Sequence, residues 1–166
     1  MMQYEVALVP DKEGMKELLS LIMGSYFIKH DVRPHIVIGV FETDDENRIA
    51  DFFDSFAPLV TPIKLVFTGI SSFGFKEIFV RVKPTEDLAK LFEKIYDTFR
   101  LHFMPADPHF VPGGWLPHTV IGRELVMDFF DGFMLVKQLF RETECSSAGL
   151  LLLRREPYEE LSYYSF

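Results

Sequence analysis

Arg33-Pro34-His35-Ile36-Val37-Ile38-Gly39 and Leu116-Pro117-His118-Thr119-Val120-Ile121-Gly122 carry one pattern twice: Pro-His-x-Val-Ile-Gly. The two histidines lie 83 residues apart (118 − 35). In each copy the proline fixes φ and marks where an extended segment begins. The apolar residues that follow read as a buried strand with the histidine at its mouth. A strand alternates its side chains between two faces, so His35 and Val37 share one face and His118 and Val120 another. Two imidazoles offered from matching strands can flank one small substrate. Histidine moves protons near neutral pH. One ring can take a proton from water while the other gives one to a leaving oxygen.

Outward from these strings the chain alternates strands and helices. Tyr4–Val9 reads as a strand stopped by Pro10. Asp11 caps a helix with Met15, Leu18, Leu19 and Ile22 on one face. Thr43-Asp44-Asp45-Glu46 has the form of a capping box before a helix carrying Ile49, Phe52, Phe53 and Phe56. Ile63–Thr68 is a strand, Ser71–Gly74 a hairpin loop, and Ile78–Val82 the return strand. Pro84-Thr85 opens the most regular helix, with Leu88, Leu91, Phe92, Ile95 and Phe99 inward. Residues 104–117 hold four prolines and Gly113-Gly114 and read as a long functional loop. After the second histidine string come a helix at Glu124–Val136 and strands at Phe140–Thr143 and Leu150–Arg154. The tail 156–166 shows no periodicity. The block strand-helix-strand-helix occurs twice, at about 4–57 and 76–136. This predicts one α+β domain, residues 1–166, with an internal pseudo-two-fold repeat.

Composition bounds the function. The chain has 166 residues, 48% of them apolar and 15% aromatic, with 18 Phe, as expected for a globular, Phe-rich core. No apolar run is long enough to span a membrane, and the start lacks the features of a signal peptide. The net charge is −8 with no basic run, which argues against long duplex nucleic acid as partner; a mononucleotide or an RNA terminus remains compatible. One cysteine, Cys145, leaves no disulfide and no cysteine-based metal site, and points to a reducing, cytoplasmic setting. His102, Asp107 and His109 match no standard metal-ligand spacing. No cofactor or metal is expected. Trp115, the only tryptophan, fits either of two roles, stacking on a base at the cleft mouth or anchoring the loop. Arg123 and Arg33 beside the two motifs fit a phosphate contact or a salt bridge.

The paired strings and the element order resemble the 2H phosphoesterase superfamily, the 2′-5′ RNA ligase or RNA 2′,3′-cyclic phosphodiesterase family. Its hallmark is two His-x-Thr/Ser-x motifs about 80 residues apart. They correspond here to His35-Ile36-Val37-Ile38 and His118-Thr119-Val120-Ile121, and Gly122-Arg123 extends the second match. The resemblance spans about residues 4–155. It implies a bilobal α+β fold with two antiparallel sheets and flanking helices around a central cleft. It also implies metal-independent phosphodiester chemistry on small nucleotides or RNA ends, with His35 and His118 as acid and base. The phosphate-side hydroxyl residues of the motifs are replaced by Val37 and Val120, and Thr119 faces the other way. The alternative is a nucleotide-binding module of the same fold with little turnover.

Overall fold

A computed structural model describes residues 1–24 and 26–166, without the Ile28 side chain. Eight strands form one hydrogen-bonded sheet: β1 Met2–Pro10, β2 Ile36–Thr43, β3 Lys64–Phe73, β4 Glu77–Val82, β5 Met104–Pro105, β6 His118–Arg123, β7 Thr143–Arg155 and β8 Tyr158–Ser165. Their order is β5-β2-β1-β7-β3-β4-β6, with β8 also on β7, and every pairing between these strands is antiparallel. The expected pair of sheets is therefore one sheet. The joint is β7: its residues 143–146 pair with β3 and 147–154 with β1. The sequence suggests two short strands here because Ser146-Ser147-Ala148-Gly149 has loop composition. Ser147 is nevertheless buried, and its hydroxyl accepts from the Ile63 amide at 2.9 Å.

Five α-helices lie among the described residues, α1 Lys12–Leu21, α2 Tyr26–His30, α3 Glu46–Phe56, α4 Glu86–Phe99 and α5 Phe129–Leu139, with short 3-10 turns at Ala57–Leu59 and Pro108–Phe110. Each of the four longer helices starts on a side-chain cap. Asp11 accepts from the Gly14 amide, Asp45 from Arg48, Thr85 from Leu88, and Asp128 from Phe130 and Asp131. These bonds satisfy orphan N–H groups of the first turn. The α3 cap is Asp45, two residues after the Thr43 of the expected box; Thr43 instead accepts from the Asp45 amide, and Glu46 binds Tyr4 and Arg154. The inward face of α1 is Gly14, Leu18 and Leu21, with Leu19 exposed. α5 begins at Phe129, later than its periodicity suggests, because Asp128 supplies the cap.

Alternation along β1 separates two faces. Tyr4, Val6 and Leu8 join the main core with residues of α1, α3 and α4. Ala7 and Val9 join a smaller cluster with Val32, Leu151 and Leu153. Glu5 shares their face and lines a cavity. Ile36 and Ile38 on β2, Ile78 and Val80 on β4, and Ile121 on β6 all point to the main core. Of the intervening side chains, Val37 on β2 and Val120 on β6 line the cavity. No helix among the described residues is long and apolar enough to cross a membrane.

Candidate active site

His35, just before β2, and His118, the first residue of β6, line the same cavity of about 350 Å³. Val37 and Val120 line it too, as strand alternation requires. Ile36, Ile38, Thr119 and Ile121 are buried on the opposite side. Thr119 cannot stand in for a cavity hydroxyl: its Oγ1 is buried with no hydrogen-bond partner.

Both imidazoles are held by the same local device. Nδ1 of His35 lies 2.7 Å from the carbonyl oxygen of Arg33, and Nδ1 of His118 lies 2.7 Å from that of Leu116. In each case the acceptor is two residues back, across the proline. A carbonyl only accepts, so both Nδ1 atoms carry hydrogen. The nitrogen left for chemistry is Nε2 in both rings. The prolines at 34 and 117 thus do more than start a strand, since they shape the turn that orients each ring.

The surroundings of the two rings differ. Nε2 of His35 is 3.0 Å from the Tyr158 hydroxyl and 3.6 Å from Oε2 of Glu5. The side chains of His35 and Glu5 are 10% and 6% exposed. Glu5 also accepts from Arg155 Nε and from the Tyr158 hydroxyl, each at 2.7 Å. Although burial works against its charged form, the bonds and charges of His35 and Arg155 bring the Glu5 carboxyl down to about 2. Burial and the Glu5 charge push Tyr158 well above the ordinary tyrosine value. Among the described residues no carboxylate forms an ion pair with His118. It sits edge-on to Phe73 and Phe79, with ring centroids 5.1 and 5.0 Å away. Burial lowers its imidazole from the ordinary value, against the opposing pull of the Leu116 carbonyl.

The remaining charged groups of the cavity are paired. Arg123 lies against Glu77, with Nη2 at 3.2 Å from Oε2, and over the Tyr26 ring at 4.7 Å. Arg155 pairs with Glu5 and approaches Asp107 at 3.5 Å. Arg33 is engaged outside the cavity, with its guanidinium on Glu160 and over Tyr163. Trp115 takes the anchoring role: its ring stacks on Phe92 at 4.4 Å and 7°, and its Nε1 donates to the Val37 carbonyl. It buttresses β2 and is not among the residues lining the cavity. Asp107 caps the turn at His109, and both line the cavity, whereas His102 packs on Phe52. Among the described residues no three His, Cys, Asp or Glu side chains are arranged to hold a metal.

The motif strings alone do not reveal Glu5, Tyr158, Arg155 or Glu77. Glu5 left one signal, a lone carboxylate inside the apolar run Tyr4–Val9. Tyr158 left none, because β8 is held by backbone pairing to β7 and has no apolar stripe.

Solved structures share this architecture end to end. TT0787 of Thermus thermophilus matches with a TM-score of 0.60 at 15% identity, over 99% of this chain and 97% of that one. E. coli LigT complexed with NADP+ matches at 0.60 and 9% identity, over 99% and 98%. LigT complexed with 3′-AMP matches at 0.59 and 11%, over 99% and 98%. The chain has the fold of LigT. By sequence no family model and no curated protein matches it. In this chain both histidines lie on one cavity, with a valine two residues after each.

Proposed function

We propose that this protein is a metal-independent phosphoesterase acting on a 2′,3′-cyclic phosphate or a 2′-5′ linked nucleotide or RNA end, with His35 and His118 as its general acid–base pair. The observation that carries this reading is the duplicated histidine geometry. Two rings on one cavity are each locked at Nδ1 by the carbonyl two residues back, so each has Nε2 for proton transfer. General acid–base chemistry needs such prepositioned groups and contributes about 10²–10⁴-fold. A cavity of about 350 Å³ falls in the small-ligand range. LigT has been solved with NADP+ and with 3′-AMP, and we carry the small-nucleotide class to this cavity. We assign Arg123 as a phosphate contact, made by partly leaving Glu77. The single cysteine supports a reducing, cytoplasmic setting.

Val37 and Val120 favour a second reading, a nucleotide-binding module of the same fold with little turnover. A hydrogen bond to a charged group contributes about 1.5–3 kcal/mol, and both motif hydroxyls are missing. Hydrolysis of 2′,3′-cyclic mononucleotides and 2′-5′ dinucleotides, measured beside calorimetric binding of the same compounds, separates the two. Turnover that His35→Ala or His118→Ala lowers by about 10²-fold or more supports the enzyme. Binding without turnover supports the module. Neither turnover nor binding contradicts both.

A further inference from the structure

We infer that Glu5, acting through the Tyr158 hydroxyl, holds a proton on Nε2 of His35, so that His35 is the acid and His118 the base of the reaction proposed above. The inference rests on that reading for its roles and on a count of hydrogens for its protonation. Tyr158 has one hydroxyl hydrogen and two close neighbours, Oε2 of Glu5 at 2.7 Å and Nε2 of His35 at 3.0 Å. An ionised carboxylate only accepts, so the hydrogen between Tyr158 and Glu5 is the tyrosine's own. The hydrogen between Tyr158 and His35 must then belong to Nε2. Nδ1 already donates to the Arg33 carbonyl. His35 therefore carries hydrogen on both nitrogens.

The other charged groups around this pair fit the same arrangement. Arg155 donates to the second oxygen of Glu5 and is itself balanced by Asp107, so it keeps Glu5 ionised. Arg33 presents only its carbonyl to the ring, its guanidinium being held by Glu160. Across the cavity, His118 has a carbonyl at Nδ1 and aromatic edges beside it, and no described carboxylate pairs with its ring. Its Nε2 presents a lone pair. Glu77, another carboxylate of the cavity, is paired with Arg123.

These protonation states fix the direction of the reaction. Nε2 of His118 takes a proton from water as the water oxygen bonds to phosphorus. The bond from phosphorus to one ribose oxygen breaks; that oxygen displaces the Tyr158 oxygen as acceptor of the Nε2 hydrogen of His35 and takes the proton. One water is consumed, a phosphomonoester forms, and both histidines return to their starting states by exchange with solvent. The leaving oxygen lies on the Glu5–Tyr158 side of the cavity and the attacking water on the Phe73–Phe79 side. Glu5 is a positioning residue, since it touches the reaction only through His35.

Imidazole ¹⁵N spectra at pH 7 test this without any turnover. Wild type should show both nitrogens of His35 protonated, and His118 protonated at Nδ1 only. In Glu5→Gln the amide donates to the Tyr158 oxygen, which frees the hydroxyl hydrogen for His35, so Nε2 of His35 should lose its proton. A bare Nε2 on wild-type His35, or one still protonated in Glu5→Gln, overturns the inference. The wild-type spectrum decides by itself where Glu5→Gln does not fold. An inactive wild type contradicts the phosphoesterase reading instead, and the spectra separate the two failures.

Discussion

Val37 and Val120 stand two residues after the cavity histidines and share their side of the sheet. Valine matches threonine in shape, so Val37→Thr and Val120→Thr place a hydroxyl on the cavity beside each histidine, at a cost of about 1–3 kcal/mol where it finds no partner. Each hydroxyl that reaches the phosphate should raise kcat/KM on 2′,3′-cyclic nucleotides by about tenfold or more. The double variant is compared with wild type in the same assay. A double variant that folds and is no faster would mean that these positions do not face the reacting phosphate. Glu5 makes a prediction about stability. Its carboxyl sits at about 2 in the fold, below its ordinary value of 4.5. A depressed folded value stabilises the native state above the unfolded value, and that stability disappears as pH falls from about 4.5 to about 2. Urea midpoints measured across this window should fall steeply for wild type and distinctly less for Glu5→Gln; equal slopes would count against the buried ion pair. The two histidines were legible in the sequence because the Pro-His-x-Val-Ile-Gly string repeats. Trp115 was legible only as an alternative, because nothing local distinguishes a ring stacked on Phe92 from one offered to a base.

α4 is the element whose sequence and structure agree most closely. Thr85 caps it, and Leu88, Leu91, Phe92, Ile95 and Phe99 are its buried residues, because an apolar stripe of period 3.6 has one way to face a core. α1 has a weaker stripe, and its inward face is decided by a glycine that no hydrophobicity pattern can flag. A Cβ on Gly14 would lie 2.5 Å from Cys145 Sγ and 2.9 Å from Pro10 Cβ. In an exposed helix, glycine-to-alanine gains about 1 kcal/mol. Here Gly14→Ala should instead destabilise, by about 1–3 kcal/mol from overpacking against β7. Thermal and urea denaturation check the sign, and a stabilised variant would contradict the close approach. β8 escaped sequence reading for a different reason. Its side chains serve ion pairs: Glu159 with Arg154, and Glu160 with Arg33. Its strand character comes from the backbone of β7. The same pairing brings Tyr158 opposite Arg155 and so to the cavity. The motif locates the reacting rings, but the residues that set their charge come from strands distant in sequence.

At the scale of the whole molecule, charge and topology act together. The chain carries −8, and both cavity arginines are compensated by Glu77, Glu5 and Asp107. Such a surface suits one small anion held by directed hydrogen bonds better than a long polyanion. Proton transfer is assigned to imidazoles, so EDTA should leave turnover unchanged. Activity lost to EDTA and restored by zinc or manganese would contradict the assignment. The single sheet, joined through β7, brings β2 and β6 to one cavity although their histidines are 83 residues apart (118 − 35). The proposed chemistry requires these two rings to act on opposite sides of one phosphorus. The decisive test is a crystal structure with a ribonucleoside–vanadate complex, which mimics five-coordinate phosphorus. Vanadium should lie between the rings, with Nε2 of His35 and Nε2 of His118 each about 2.6–3.2 Å from a different vanadate oxygen. Vanadate bound away from the cavity, or bound there by one histidine with the other turned aside, would refute the paired role of the two histidines.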